Sequence, residues 1–409
     1  MTAGGGKELT PAQACGRHVG EDRRPRVLHV ITHLDMGGAE MVALDLIDRL
    51  RDRADFALFA VLGSERRSAV GQDMAARLDR WGVPHTTGTS RGFKSGGVVL
   101  AARALARTVA DVRPDVIHVH TEIPELTLAI ATLLSRRARR TPLLRTVHNC
   151  ELWIDWGMIG HWVTARLDYG TAVAVSRNAA RADAAIAVRR PRATDVIYNG
   201  VARPAPAQQR ASGDNRSAKV LFAGRLHQQK GADLLPAILA DARTRTPRAD
   251  VAVTIAGTGV LRDRVAAAAD EAAWDVRLVD PIPNLAERLD DYDAVLLPSR
   301  FEGFGLLAAE ALLAGVPAIT TDAPGLDEVV PADYPFRAAV DDVPALAALL
   351  AQVIDDPAAA RRRVAPFRDV IAARFSPDTM ASAYLARYRA LAGSGARNGA
   401  GGRAGGGAA

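Results

Sequence analysis

At 409 residues, 48% hydrophobic and 24% charged, the chain has an ordinary globular composition and exceeds what one hydrophobic core usually supports. Its net charge of +6 is uneven: residues 1–205 carry 29 Lys+Arg against 21 Asp+Glu, and residues 206–409 carry 23 against 25. Cys15 and Cys150 are the only cysteines and stand in no metal-ligand spacing, which argues against a disulfide framework or a zinc site. No stretch approaches the roughly 18 apolar residues of a membrane span, and Met1 to Arg24 has no apolar signal core, so a cytoplasmic protein is expected.

In chain order, Gly-rich residues 1–24 are expected to be disordered. Residues 25–203 then alternate strand-like runs (Val27–Thr32, Phe56–Leu62, Val116–Val119, Leu143–Val147, Ala172–Val175) with helical patterns at about 38–50, 70–81, 98–112, 123–138 and 176–187. Pro- and polar-rich residues 204–216 read as a linker. Residues 217–392 repeat the plan, with strands Val220–Ala223, Val251–Ala256, Val276–Val279, Ala294–Leu297 and Ala318–Thr320, and helices at about 231–243, 260–273, 283–289 and 304–314. Residues 393–409 form a Gly-rich tail expected to be disordered. The alternation predicts an α/β chain of two open parallel sheets, each covered on both faces.

Ligands of such sheets bind beyond the C-terminal ends of the strands, so those ends carry the functional signal. After the first strand, Gly37-Gly38-Ala39-Glu40 opens a helix, where glycine permits close approach to an anion or a hydroxyl-rich ligand; a plain tight turn explains it equally well. His148-Asn149 follows Leu143–Val147, although a lone histidine there is more often structural than catalytic. Gly224-Arg225 through Lys230-Gly231 brackets a turn with two cations, suited to a diphosphate without a metal, with a salt-bridge role as the alternative. Gly257 and Gly259 stand at another strand end. Glu302-Gly303-Phe304-Gly305-Leu306 runs into a helix that carries Glu310. At a rise of about 1.5 Å per residue the two carboxylates flank a helix N-terminus at a separation on the order of 10 Å.

Taken in order, Gly37-Gly38-Ala39-Glu40, Val147-His148-Asn149, Ala174-Val175-Ser176, Tyr198-Asn199-Gly200-Val201, Gly224-Arg225-Leu226 through Lys230-Gly231, and Glu302 through Glu310 resemble a family 4 retaining glycosyltransferase of the GT-B fold. The resemblance implies two Rossmann-like domains facing a central cleft. It also implies a nucleoside diphosphate sugar as donor, a UDP-sugar favoured over a GDP-sugar, with no metal or cofactor. Arg225 and Lys230 would hold the diphosphate, Glu302 the sugar hydroxyls and Glu310 the ribose. Gly224, Gly257 and the amides around Phe304, Gly305 and Leu306 would line the donor site. Gly37 and Gly38 would approach the diphosphate and acceptor, and His148 would contact the transferred sugar. The chain departs from the family pattern at Ala202, where an acidic residue is common, and at Pro324-Gly325, where a glycine pair often precedes the later glutamate, here Glu328.

The implied activity is transfer of a hexosyl-type sugar to a glycan, lipid-linked or small-molecule acceptor in cell-envelope or exopolysaccharide synthesis. Glycosylation of a secondary metabolite, a nucleotide-sugar epimerase or phosphorylase, and a non-catalytic nucleotide-sugar-binding protein are the alternatives. Glycosidases also use two carboxylates, but a hydrolase needs no phosphate-like site between them. Asp291-Tyr292-Asp293 has the form of a metal-binding pair, yet it precedes its strand and so falls at the end away from the cleft. Arg136-Arg137-Ala138-Arg139-Arg140 fits a solvated helix end, a contact with the phosphates of a lipid-linked acceptor, or a peripheral contact with an anionic membrane surface. Nucleic acid is disfavoured because no stacking aromatics interleave with these arginines. Met36, Met41, Trp153, Trp156 and Trp162 are candidates for an acceptor groove, with core packing as the alternative. Only Lys7, Lys94, Lys219 and Lys230 are lysines, so a lysine in this arginine-rich chain marks a place where a compact ammonium is preferred.

Overall fold

A computed structural model describes residues 23–35, 37–63, 68–92, 96–154, 156–186, 194–204, 217–270 and 274–400. Cys15, Met36, the linker after Pro204 and the last nine residues lie outside them, as does most of the expected N-terminal tail.

The strands are β1 (Arg26–His33), β2 (Asp55–Leu62), β3 (His85–Thr89), β4 (Val116–His120), β5 (Leu143–Val147), β6 (Thr171–Ala174), β7 (Asp195–Val196), β8 (Ala218–Ala223), β9 (Val251–Ala256), β10 (Asp275–Val279), β11 (Ala294–Leu297), β12 (Ala318–Thr321) and β13 (Arg337–Ala338). The helices are α1 (Gly38–Leu50), α2 (Ala69–Arg80), α3 (Gly97–Val112), α4 (Glu122–Leu134), α5 (Arg136–Arg140), α6 (Gly157–Arg166), α7 (Arg177–Ala185), α8 (Leu235–Arg245), α9 (Arg262–Asp270), α10 (Leu285–Arg288), α11 (Leu306–Leu313), α12 (Leu326–Val329), α13 (Val343–Asp355), α14 (Pro357–Arg374) and α15 (Pro377–Ala400).

Two all-parallel sheets result, ordered β3-β2-β1-β4-β5-β6-β7 and β10-β9-β8-β11-β12-β13. Each winds outward in both directions from its first strand, so each has a switch point, at β1/β4 and at β8/β11, where a crevice opens beyond the strand C-termini. Side chains alternate across the sheet. Val27 and Ile31 of β1 join the core under α1 and α15, while Leu28 and Val30 join the core under α3 and α4. Burial on both faces explains why these strands read as continuous apolar runs.

Three strands escaped sequence reasoning for a common reason. β3 is His-Thr-Thr-Gly-Thr on a sheet edge, and β7 and β13 are two residues each, so none carries an apolar run. The helix expected over 123–138 is broken at Ser135, which is extended and whose Oγ accepts from Ala138 N at 3.2 Å, capping a new short helix. α6 was hidden by its two glycines; Gly160 lies flat against Trp153, where a Cβ would come within 2.4 Å of the ring. The C-terminal helices α13 and α14 close the second domain. Then α15 crosses back: Met380, Ala381, Tyr384, Leu385 and Tyr388 are buried in the core of the first domain. The domain expected at 217–392 therefore does not keep its last helix, and that helix continues to Ala400, into the segment expected to be disordered from Gly393.

One buried ionic group anchors the first domain. Arg145 on β5 donates to both oxygens of Glu125 at 2.9 and 3.1 Å and to Asp183 Oδ1 at 3.2 Å, and Thr194 donates to the other Asp183 oxygen at 2.7 Å. Burying such charges is tolerable only when they are mutually satisfied, as here.

Candidate active site

The loops that leave β8, β9 and β11 meet at the C-terminal edge of the second sheet. Gly224 and Gly257 end β8 and β9 back to back; a Cβ on Gly257 would lie 1.9 Å from the Gly224 carbonyl oxygen. The segment after Gly224 makes one 3-10 turn, Gln228–Lys230, which aims Lys230 at the loop after β11. There its Nζ donates to both oxygens of Glu302, at 2.6 and 2.7 Å, and Ser299 Oγ adds a third bond at 2.8 Å. Arg225 is exposed, with its guanidinium bonded to Gln229 Oε1 at 2.6 Å.

Glu302 leads into a turn that two glycines make possible. Gly303 presses against the first domain, so that a Cβ would lie 1.7 Å from the His148 carbonyl oxygen. Gly305 caps α11 at φ +89°, the left-handed region that favours glycine. Between them Phe304 turns its ring inward, edge-on to Phe375 at 4.9 Å. Its side chain is thus core, and only its backbone faces the cleft. The N–H groups of Phe304, Gly305 and Leu306 find no acceptor among the described residues, as the first turn of a helix requires. Such amides attract an anion.

Glu310 lies one turn into α11, half-buried, and its carboxyl has no hydrogen-bond partner among the described residues. Burial pushes its carboxyl up to about 7, and Asp45 of α1 adds to the shift. Asp45 is itself raised to about 6 by burial, against the pull of Arg77 and Arg49. The first domain thus supplies a carboxylate opposite Glu310, which no sequence pattern indicated.

On that facing side, Gly37 caps α1, and the Glu40 carboxylate folds back so closely that a Cβ on Gly37 would meet its Oε2 at 2.1 Å. Burial raises the Glu40 carboxyl, while His33 and backbone hydrogen bonds around it oppose the rise. Gly38 faces the second domain, a Cβ there falling 3.3 Å from Leu306 Cδ1. His148 stands at the end of β5 with its Nε2 3.0 Å from His120 Nδ1. Glu122, at the start of α4, has its carboxyl raised by burial and lowered by the Arg225 charge across the cleft. Sequence reasoning missed Glu122, and its only signal was position: it lies two residues past His120, the last residue of β4, and a strand end is where ligands bind.

Further contacts join the domains beside this cleft. Cys150 Sγ donates to the Glu302 carbonyl at 2.8 Å, and burial pushes the thiol up to about 12. Glu328 accepts from the backbone N–H groups of Arg177 and Asn178, at 2.9 and 2.8 Å, and from the Tyr198 hydroxyl at 3.0 Å. The later glutamate of the motif therefore acts as a strut between domains, and the departure at Pro324-Gly325 leaves it in place.

Other candidates separate from the cleft. Asp293 accepts from Lys219 N at 2.9 Å, and Asp291 pairs with Arg288 Nε at 3.6 Å, so both members of that acidic pair are engaged on the far edge of the sheet. Arg136, Arg137, Arg139 and Arg140 are exposed just before β5 begins, opposite the cleft, beside exposed Leu133 and Leu134. Trp153 and Trp156 pack on the first core, whereas Ile154, Met158, Ile159 and Trp162 are exposed along the loop and helix that follow His148. Among the described residues, His29, His118 and His120 have the composition of a metal site, with ligand atoms within 4.8 Å of one another. Each has ring nitrogens committed to hydrogen bonds, at 2.7 to 3.0 Å.

Comparison with known proteins agrees with this architecture. A family model described as glycosyl transferases group 1 matches residues 217–356, and one described as glycosyltransferase family 4 matches residues 36–203. The chain is 31% identical over 302 residues to a glycogen synthase of Mycobacterium tuberculosis, covering 68% of this chain and 70% of that one. It is 27% identical over 357 residues to a 2-deoxystreptamine glucosyltransferase of Streptomyces kanamyceticus, covering 79% and 90%. Among solved structures, Anabaena HepE in complex with UDP and glucose shares the fold with a TM-score of 0.71 at 20% identity, over 89% of this chain and 99% of that one.

Proposed function

The chain belongs to the group 1, family 4 glycosyltransferases of the GT-B fold, and on that basis we propose that it moves a hexosyl sugar from a nucleoside diphosphate sugar to an acceptor hydroxyl with retention of configuration. One observation carries the reading. Arg225, Lys230 and the N-terminal amides of α11 converge on one cleft, with Glu302 at one end and Glu310 at the other. That is a cationic, amide-rich seat for a diphosphate between two hydroxyl acceptors.

In this mechanism the charge that develops on the departing diphosphate is met by Arg225, Lys230 and the amides of Phe304, Gly305 and Leu306. Lys230 exchanges part of its bond to Glu302 for a phosphate oxygen, and the released Glu302 oxygens accept from sugar hydroxyls. Glu310 accepts from the ribose. Attack on the same face as departure gives retention, the phosphate oxygen taking the acceptor proton. Glu302 positions the sugar and forms no covalent bond.

A UDP-sugar is the favoured donor, in keeping with the solved relative that holds UDP and glucose. The acceptor would approach along the exposed apolar side chains Ile154, Met158 and Ile159 after His148, which suits an acceptor with an apolar part. Synthesis of a polysaccharide or a glycosylated metabolite fits equally, and the relatives include one of each kind. A cytoplasmic enzyme, with Leu133, Leu134 and the neighbouring arginines touching an anionic membrane peripherally, completes the reading. Among the described residues no single helix is long and apolar enough to cross a membrane.

The test is a panel of UDP-, GDP- and other nucleotide sugars, each assayed for protection against thermal unfolding and for slow nucleotide release. Silence toward every donor would refute the donor site. Turnover needing no acceptor would favour an epimerase, and binding without release a non-catalytic protein.

A further inference from the structure

His148 is the end of a longer structure. Its Nε2 bonds His120 Nδ1 at 3.0 Å, and His120 Nε2 bonds His29 Nδ1 at 2.9 Å. His29 Nε2 meets the Tyr388 hydroxyl at 3.4 Å, and that hydroxyl meets His118 Nδ1 at 2.8 Å. His118 Nε2 then meets Thr146 Oγ1 at 2.7 Å, and Thr146 Oγ1 meets the Tyr384 hydroxyl at 3.0 Å. Seven side chains form one unbranched hydrogen-bond chain from α15, through the core of the first domain, to the cleft. All but His148 are fully buried.

Counting protons gives the chain a direction. Burial keeps the imidazoles neutral: it pushes His29 and His148 down to about 3 and lowers His118 and His120 well below the usual histidine range. A neutral ring has one N–H and one bare nitrogen, so a ring that accepts on one side donates on the other, and each hydroxyl has a single proton to pass on. Two ordered states exist. In one, every proton points toward His148, starting from the Tyr384 O–H donated to Thr146. In the other, every proton points away, and the Tyr384 O–H at the end has nothing to donate to, since Thr146 Oγ1 is its one partner among the described residues. A mixed arrangement likewise leaves one buried N–H or O–H without an acceptor. Such an orphan disfavours its state by roughly ten- to a hundredfold.

We propose that this chain fixes His148 as the Nδ1–H tautomer and so presents it to the cleft as a ready hydrogen-bond donor, with His120, His29, Tyr388, His118, Thr146 and Tyr384 as its positioning residues. Nδ1 of His148 has no hydrogen-bond partner among the described residues, so its N–H is available to a ligand oxygen. Only the identity of that oxygen, on the transferred sugar, rests on the proposed function. The tautomer follows from the protein alone. The return of α15 then has a purpose at the cleft, because it brings Tyr384 and Tyr388 to the start and middle of the chain.

The experiment is two-bond proton–nitrogen correlation on protein labelled with 15N-histidine, whose nine histidines are assigned by single His→Gln variants. The expected result is protonation at Nδ1 in all four of His29, His118, His120 and His148. An Nε2–H form or an imidazolium at any of the four overturns the proposal, and neither result depends on any transfer activity. A second arm uses Thr146→Val, which keeps the volume and leaves His118 Nε2 unpartnered in either direction, as a bare acceptor or as an orphaned N–H, so that the two directions become nearly equal. His148 is expected to become a mixture of tautomers and kcat to fall about twofold, the share of molecules that lose the Nδ1–H, with the nucleoside diphosphate Kd unchanged. An unchanged kcat with His148 still purely Nδ1–H would overturn the positioning role. Should the variant not fold, the unmodified protein's spectrum decides.

Discussion

Replacing Glu310 by Gln tests whether this carboxylate is held for a ligand at a cost to the fold. Its pKa rises from 4.5 to about 7, chiefly through burial and secondarily through Asp45. An acid with a raised folded pKa binds more protons folded than unfolded, so it lowers stability as pH rises through that window and stops doing so above it. At about 1.4 kcal/mol per unit the full penalty at pH 8 is about 3 kcal/mol. Glu310 is half-buried rather than enclosed, and its solvent-facing side trims the figure to about 1–2 kcal/mol. Glu310→Gln should therefore raise Tm at pH 8 by several degrees, at about 2–4 °C per kcal/mol for a domain of this size. The gain should shrink at pH 5 and vanish near pH 4, where the native side chain is protonated in both states. Calorimetric titration with UDP should show the opposite trend, a Kd weakened about ten- to a hundredfold by loss of a charged acceptor for the ribose hydroxyls. Asp45 titrates in the same window with the same sign, so the comparison must be between variant and native protein at each pH. A lower Tm for the variant at pH 8, or an equal gain at pH 5 and pH 8, would refute the desolvation argument. An unchanged nucleotide Kd would refute the ribose role.

Glu302→Ala and Lys230→Ala should each abolish transfer while far-ultraviolet circular dichroism stays native; near-normal turnover in either would mean the cleft is misassigned. Gly303→Ala should cut kcat about a hundredfold, because its Cβ cannot coexist with the His148 carbonyl 1.7 Å away and the loop must shift. If single-turnover rates remain within twofold, the loop is not held in register by this contact. Arg145→Met should cost about 3–5 kcal/mol in urea unfolding by leaving Glu125 and Asp183 buried without their cation. A change below about 1 kcal/mol would show that water reaches that group.

The legible parts of this fold were those with a local signature. β1, β2, β4, β5, β8, β9 and β11 are apolar runs because both faces of a parallel sheet are buried, and the turn residues at their C-terminal ends follow from backbone requirements. Gly303 and Gly305 illustrate this, one forced by the close approach of His148 and the other by its left-handed φ. Features set by distant packing were not legible. His118 and His120 alternate onto one face of β4, but nothing in that spacing reveals that the face also receives Tyr384 and Tyr388 from α15. Asp45 and Glu310 likewise become a charge pair only through apposition of α1 and α11. Phe304 was legible as part of the turn yet not as a core ring, since a Gly-Phe-Gly sequence does not say which way the aromatic faces.

The arrangement of cations explains why one of the four lysines in an arginine-rich chain occupies position 230. Its ammonium sits between two carboxylate oxygens at nearly equal distances and carries no fixed fork. Rotation of a terminal point charge lets it give up one oxygen and take another, so the same group can satisfy Glu302 and then serve a phosphate. A guanidinium in that place would lock Glu302 in a planar, two-bond embrace and oppose the exchange. Arg300 nearby shows the contrast: it clasps Asp233 through both nitrogens at 2.8 and 2.9 Å and also bonds Asp341 at 2.8 Å, a set of bonds suited to holding loops rather than exchanging partners. Arg225 completes the division, exposed and held at one point by Gln229, with Glu122 facing it from the other domain. In the proposed mechanism the loop ties use arginine and the exchanging tie uses lysine, the distribution a transfer cleft needs if its charges must be satisfied both before the donor binds and while it reacts.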